Sequence, residues 1–188
     1  MDDKKEALLS SHINQLLSRG RTLVAIDGRC GAGKTTLGET IKEKYDCTLL
    51  HMDDFFLRPA QRSSRRLSTP GENIDHERFL EEVLKPARRG VSFSYRPFDC
   101  SNMCLGQSIE IDPSPLVVIE GAYSCHPRLS GYYDLRVFLS VGKEEQLLRI
   151  SERNGPEIAE LFKKRWIPLE EAYFSFYHIP ERCNLVFG

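Results

Sequence analysis

The sequence has no long apolar run, few cysteines and almost no net charge. None of its hydrophobic stretches approaches the roughly 18 residues that a membrane-spanning helix needs. Its 26 basic and 27 acidic residues leave a formal charge of −1, so no overall electrostatic attraction favours nucleic acid or an anionic membrane. We therefore expect neither a nucleic-acid partner nor a membrane partner.

The six cysteines are too sparse and too irregularly spaced for the disulfide framework of a small secreted protein. The N-terminal segment is too acidic and polar for a secretory signal. These features predict reduced thiols and a cytoplasmic location. Cys100 and Cys104 share a CxxxC spacing, but no second Cys or His pair is placed to complete a tetrahedral zinc site.

The pattern of the chain is that of an ordinary globular protein, with 40% apolar and 28% charged residues. Its length predicts one domain over residues 1–188. An amphipathic pattern predicts an opening helix, and five short apolar runs predict strands at residues 22–27, 47–52, 115–120, 133–141 and 183–188. Helix-like segments between most of these strands predict an α/β fold with a parallel sheet covered on both faces.

Two regions interrupt the alternation of strands and helices. Residues 55–74 contain prolines, glycine and four arginines, which predicts a long loop. Residues 91–113 contain two alternating segments joined by a turn-rich stretch, which predicts a β-hairpin. We interpret this hairpin as a flap on the substrate side.

A phosphate-binding pattern, GxxxxGK[ST], occurs at residues 28–35 between a predicted strand and a predicted helix. In such a loop the backbone N–H groups face phosphate oxygens, and the helix N-terminus adds positive partial charge. Lys34 would reach the β- and γ-phosphates of ATP, and the Thr35 hydroxyl would bind Mg²⁺; the alternative is a glycine-rich turn without a ligand. The predicted nucleotide contacts are Gly28, Gly31, Ala32, Gly33, Lys34, Thr35 and Thr36.

Cys30 lies inside this loop, near Lys34 and a helix N-terminus. Such surroundings favour the thiolate. We therefore expect Cys30 to be the thiol most sensitive to alkylation and to be protected by ATP.

Two carboxylates are predicted beside the loop. A helix of about 11 residues after Lys34 and a strand back to Met52 cover similar distances, so Asp53 returns close to the phosphates. Asp53 could accept a proton from an acceptor hydroxyl or support magnesium, whereas Asp54 would point elsewhere; a helix cap or turn is the alternative for both. Glu120 ends an apolar strand at the same sheet edge, where a buried carboxylate favours a metal-side role over a solvated strand end.

The segments AIDGRCGAGKTTL, HMDDFF and VVIEGAY, in this order, resemble motifs of the uridine kinase and phosphoribulokinase group of P-loop kinases, which includes nicotinamide riboside kinases. The resemblance covers most of the chain. It implies a five-stranded parallel sheet with a small flap and a lid. It also implies Asp53 as general base, Lys34 as phosphate ligand, and Thr35 and Glu120, with Asp53, on the magnesium side.

The acceptor side and the lid resemble the group less closely. Asp75-His76 resembles its Asp-His-Pro segment, and Phe98 lies in a segment resembling its Pro-x-Tyr-Asp; a packed hairpin aromatic is the alternative for Phe98. Arg149 and Arg153 share a helix face at the start of a predicted lid, residues 149–166. They would neutralise the transferring phosphoryl group, and a solvated face is the alternative.

Three functions compete at this point. The sequence favours an ATP-dependent kinase acting on a hydroxyl of a small metabolite, most plausibly a nucleoside or ribose-like acceptor. A regulatory nucleotide-binding module and a P-loop protein that has lost catalysis are the alternatives, and the Asp53 segment argues against the first. The acceptor and the state of assembly, including a homo-oligomer, stay open. No chemistry is assigned to His12, His51 or His126, because no metal-ligand partner is near them in sequence.

Overall fold

The structure, a computed structural model, describes residues 3–188. Its strands in chain order are β1 Thr22–Gly28, β2 Thr48–His51, β3 Phe93–Tyr95, β4 Phe98–Asp99, β5 Cys104–Leu105, β6 Ile109–Ile111, β7 Leu116–Glu120, β8 Leu135–Leu139 and β9 Leu185–Phe187. Five of them form one sheet in the order β2-β7-β1-β8-β9. All neighbouring pairs in this sheet are parallel. The predicted α/β fold with a five-stranded parallel sheet is confirmed.

Helices cover both faces of this sheet. They are α1 Asp3–Leu17, α2 Lys34–Tyr45, α3 Ser64–Ser68, α4 His76–Phe79, α5 Lys85–Arg89, α6 Lys143–Asn154, α7 Pro156–Leu161, α8 Ile167–Tyr177 and α9 Ile179–Arg182. Turns of π-helix at Leu80–Leu84 and Phe162–Trp166 connect α4 to α5 and α7 to α8. Among the described residues, no helix is both long and apolar enough to cross a membrane.

Strand β1 is buried along its whole length because both of its faces are covered. Leu23 and Ala25 pack into one hydrophobic cluster, and Val24 and Ile26 pack into another on the opposite face. Alternate side chains of a strand point to opposite faces, so a continuous apolar run fits a central strand with helices on both sides. The core therefore fixes β1 rigidly, and with it the loop that follows.

Each of the five sheet strands begins and ends within two residues of the predicted bounds. The predicted hairpin is also present: β3 pairs antiparallel with β6. A smaller antiparallel pair, β4 with β5, lies within the stretch expected to be a turn. The predicted long loop contains a 3₁₀ turn at Pro59–Gln61 and the short helix α3.

Candidate active site

The loop between β1 and α2 has the geometry that its glycines require. Gly28 adopts φ 141°, and a Cβ there would lie 2.1 Å from the carbonyl oxygen of Leu139. Gly33 adopts φ 90° directly before α2. Lys34 Nζ donates hydrogen bonds to the carbonyl oxygens of Gly28 and Arg29, at 2.8 and 3.0 Å. The lysine ammonium is thus held at the loop, and loop and cation form one assembled unit.

The carboxylate of Glu120 lies beside this loop because β7 pairs with β1. Glu120 is buried, and the Thr35 hydroxyl lies 3.2 Å from both of its carboxylate oxygens. His51, its register partner on β2, has Nδ1 2.6 Å from Glu120 Oε1. This hydrogen bond to Glu120 raises the pKa of His51. A hydroxyl and a carboxylate are oxygen ligands of the kind that Mg²⁺ prefers, so Thr35 and Glu120 fit the metal-side role.

Asp53 and Asp54 lie in a 3₁₀ turn, Met52–Phe55, rather than at the end of a strand as predicted. They nevertheless diverge. Asp53 opens into the cavity described below, whereas Asp54 Oδ2 accepts a hydrogen bond from the Tyr95 hydroxyl at 2.9 Å. The prediction that Asp54 points elsewhere is therefore confirmed, although the turn is what separates the two side chains.

Asp53 is exposed to solvent, but partial desolvation beside the cavity wall raises the pKa of its carboxyl. The positive charge of Lys34 opposes this shift, and the negative charges of Glu120 and Asp54 add to it. A carboxylate with a raised pKa is a stronger base than a solvated one. Asp53 has the electrostatic surroundings of a proton acceptor.

A cavity of about 560 Å³, here called the phosphate cavity, joins these groups. Its lining brings together the loop, both acidic groups and the two lid arginines: Gly33, Lys34, Thr35, Asp53, Glu120, Arg149 and Arg153. Arg149 Nη1 donates to the carbonyl oxygen of Gly31 at 3.1 Å, while its Nε binds Glu145. Arg153 Nε donates to Asn154 Oδ1 at 2.8 Å. Cations, carboxylates and phosphate loop thus share one space.

A second cavity, of about 420 Å³, adjoins the first. It shares Gly33, Thr36 and Arg149 with the phosphate cavity and extends between α2 and the ends of β8 and β9. The two cavities together provide room on both sides of the loop.

The predicted acceptor-side residues lie outside the lining of the phosphate cavity. Asp75 is buried, and its Oδ1 accepts a hydrogen bond from the backbone N–H of Arg78, capping α4. Its Oδ2 lies 3.5 Å from Nη2 of Arg58. Phe98 is buried under the guanidinium of Arg62, 5.6 Å from the ring centroid. Contacts of these residues with a substrate stay a prediction.

His76 and His126 belong to a buried cluster with Glu72, which corrects the expectation that His126 has no metal-ligating neighbour. The two rings stack with centroids 4.5 Å apart, and His76 Nε2 lies 3.0 Å from Glu72 Oε2. His126 Nδ1 accepts a hydrogen bond from the backbone N–H of Arg128 at 3.3 Å. In a neutral imidazole the proton is then on Nε2, which leaves that atom no lone pair for a metal. Burial lowers the pKa of His126 to about 3.

The sequence analysis did not predict three acidic residues that position the phosphate loop through hydrogen bonds. Glu170 Oε2 accepts a hydrogen bond from the backbone N–H of Cys30 at 2.9 Å. Its neighbour Glu171 binds Arg29 through two hydrogen bonds of 2.5 and 3.0 Å. Asp27, at the end of β1, is fully buried and accepts four hydrogen bonds. One of them comes from the hydroxyl of Tyr173, which lies in α8 together with Glu170. Helix α8 therefore positions the loop, a role that only the long-range contacts reveal.

The surroundings of Cys30 do not favour the thiolate, contrary to the premise of the alkylation prediction. Burial raises the pKa of its thiol to about 12, and the negative charge of Glu170 adds to the shift. The positive charge of Lys34 is too weak to offset both effects. A buried thiol with a raised pKa is unreactive.

The fold is similar to that of uridine kinase-like P-loop kinases, as the motifs predicted. A solved structure described as a possible uridine kinase from Bacillus stearothermophilus matches with a TM-score of 0.66 and 18% identity, over 96% of this chain and 99% of that chain. No protein family model matches. At 18% sequence identity the structural similarity shows the fold alone, which is that of a P-loop kinase.

Two curated proteins are similar in sequence. A uridine kinase from Chlamydia pneumoniae is 24% identical over 144 residues, which are 72% of this chain and 64% of that protein. The inorganic pyrophosphatase TTM2 from Arabidopsis thaliana is 29% identical over 160 residues, 78% of this chain. The match spans only 23% of the length of TTM2. The chain thus spans less than two thirds of both curated relatives.

Proposed function

We propose that this protein is an ATP-dependent kinase that transfers the γ-phosphate to a hydroxyl of a small metabolite, a nucleoside or a ribose-like acceptor. The observation that carries the proposal is the phosphate cavity, in which Lys34, Thr35, Glu120 and Asp53 line one space. The kinase names of its relatives in fold and sequence support the proposal.

Each group has a role that its position suits. The phosphate loop and Lys34 bind the β- and γ-phosphates, and the adjoining second cavity has room for the rest of the nucleotide. Mg²⁺, held on the side of Thr35 and Glu120, would neutralise phosphate charge. Asp53 accepts the proton of the acceptor hydroxyl as the phosphoryl group transfers. Arg149 and Arg153 stabilise negative charge on that group.

A regulatory nucleotide-binding module is the alternative. Such a module needs the phosphate loop but no base beside the γ-phosphate. The carboxylate of Asp53, which lines the same cavity as Lys34 and Thr35, favours the kinase.

An ADP-release screen with Mg·ATP tests the proposal. The acceptors are nucleosides, pantothenate, sugars and nicotinamide riboside, each compared with ATP alone. We expect at least one acceptor to raise ADP release at least about tenfold, with phosphate recovered on the acceptor by mass spectrometry. ATP binding with no acceptor-dependent ADP from any compound would favour the regulatory module.

A further inference from the structure

A third cavity, of about 410 Å³, lies next to the phosphate cavity on the side of the long loop. The two cavities share Phe56, Asn73 and Trp166. A ligand whose reactive end lies near Asp53 can therefore extend past these three side chains into the third cavity.

Cationic side chains line this third cavity, and no Asp or Glu is among its lining residues. They are Arg62, Lys164 and Arg165, and we call the space the cationic cavity. Lys164 Nζ lies 3.7 Å from a carboxylate oxygen of Glu160, which partly neutralises it. Within residues 3–188, neither of the two arginines has a carboxylate within 4.0 Å. An excess of positive charge in a cavity attracts anions.

Both arginines are held in place by neighbours that leave their charge unpaired. Arg62 Nε donates to the carbonyl oxygen of Leu57 at 2.9 Å, which anchors one side of its guanidinium. The Arg165 guanidinium lies over the ring of Trp166, 4.8 Å from its centroid. Guanidinium groups bind carboxylates and phosphates through paired N–H donors. The arginines are therefore suited to an anionic oxygen ligand.

Asn73 lies on the wall between the two cavities. Its side-chain amide interacts with the hydroxyl of Tyr123, which also lines the phosphate cavity. The wall between the two cavities is therefore polar as well as aromatic.

From this charge, and from the wall that the two cavities share, we propose that the phosphate acceptor carries a carboxylate or phosphate group, which binds in the cationic cavity while its hydroxyl faces Asp53. The inference rests on the proposed function and makes it narrower: the acceptor is an anionic polyhydroxy compound rather than a neutral nucleoside. Phe56 and Trp166 contact the carbon chain between its two ends.

Trp166 is the single tryptophan of the chain, so its fluorescence reports binding without any turnover. The probes are D-ribose 5-phosphate, D-ribonate and neutral D-ribose, titrated with the non-hydrolysable ATP analogue AMP-PNP and Mg²⁺ present. Arg62→Gln removes one unpaired cation. Arg89→Gln, at the exposed end of α5 and outside all three cavities, is the matched control.

We expect one or both anionic probes to bind at least about tenfold more tightly than ribose, as a single charge-assisted contact allows. A preference for the phosphate or the carboxylate probe identifies the source of the charge. Arg62→Gln should remove most of this preference, and Arg89→Gln should leave it within about twofold. Equal affinity for ribose and both anions, or a preference unchanged in Arg62→Gln, would overturn the inference.

This experiment separates the inference from the proposed function. Anionic probes that bind but give no ADP with Mg·ATP, while no compound of the acceptor screen gives ADP, would count against the kinase alone. Phosphorylation of uridine with the same kcat/KM in wild type and Arg62→Gln, and no binding of the anionic probes, would leave the kinase intact and refute the anionic acceptor.

Discussion

Replacing Asp27 with asparagine tests how the phosphate loop is held in place. Asp27 Oδ1 accepts hydrogen bonds from the backbone N–H groups of Gly28 and Tyr123, at 2.7 and 3.1 Å. Its Oδ2 accepts from the N–H of Cys125 and the hydroxyl of Tyr173, both at 2.9 Å. An asparagine has one side-chain oxygen, so its NH₂ group would face the Cys125 N–H, donor against donor.

The expected cost follows from these contacts. A hydrogen bond to a charged group contributes about 1.5–3 kcal/mol, and a buried N–H left unpaired costs about 1–3 kcal/mol more. Burial opposes the negative charge of Asp27 and raises the pKa of its carboxyl, so removing that charge offsets part of the loss. We expect Asp27→Asn to lower the free energy of unfolding by about 2–4 kcal/mol and Tm by about 5–15 °C.

Urea denaturation followed by circular dichroism measures this change. Tyr173→Phe is the matched variant, because it removes one of the four hydrogen bonds and keeps the carboxylate. Its cost should be smaller, about 1–2 kcal/mol. A loss below about 0.5 kcal/mol for Asp27→Asn, the size of an ordinary surface change, would refute the reasoning.

Three further outcomes are expected. Lys34→Ala should lower ATP-dependent turnover at least about a hundredfold because it removes a pre-placed cation; near-normal turnover by the folded variant would remove the loop from the mechanism. The pKa of His126 is about 3 in the folded protein, below the value of about 6.5 in the unfolded chain. Protonation of His126 therefore favours the unfolded chain, and it should lower the free energy of unfolding by about 2 kcal/mol from pH 7 to pH 5. In His126→Gln this loss in urea denaturation should shrink, and an equal loss in both proteins would contradict the assignment. Iodoacetamide should label the exposed Cys100 and Cys104 before the buried Cys30, and ATP should not slow the labelling. Peptide mapping that finds Cys30 labelled first would contradict the low reactivity expected of this thiol.

Much of the fold could be predicted from local sequence patterns. The apolar runs and the glycine-rich loop are contiguous in sequence, and a strand followed by such a loop and a helix has few alternative geometries. The chain lengths after Lys34 are enough to predict that Asp53 returns to the loop. Parallel pairing then brings Glu120 to the same edge.

The parts that could not be predicted depend on contacts between residues far apart in the chain. Asp27 accepts a hydrogen bond from the hydroxyl of Tyr173, which lies 146 positions away in the sequence. No local sequence pattern predicts that contact. His51 reaches Glu120 only because β2 and β7 pair in one particular register. The pKa of Cys30 could not be predicted from its cationic neighbours in sequence, because burial and the distant Glu170 raise it.

The central claim is that Asp53 is the base of a phosphoryl transfer. Asp53→Asn keeps the size of the side chain and removes the carboxylate, while Asp54→Asn changes a neighbour that binds Tyr95 instead. Transfer should be measured with the acceptor that the ADP-release screen identifies, and Mg·ATP affinity should be measured by calorimetry.

We expect Asp53→Asn to lower phosphoryl transfer by about 10²–10⁴ while Mg·ATP affinity falls no more than about tenfold, the separation that general-base catalysis predicts. Asp54→Asn should lower transfer far less. Near-wild-type transfer by Asp53→Asn, or equal losses in both variants, would contradict the claim.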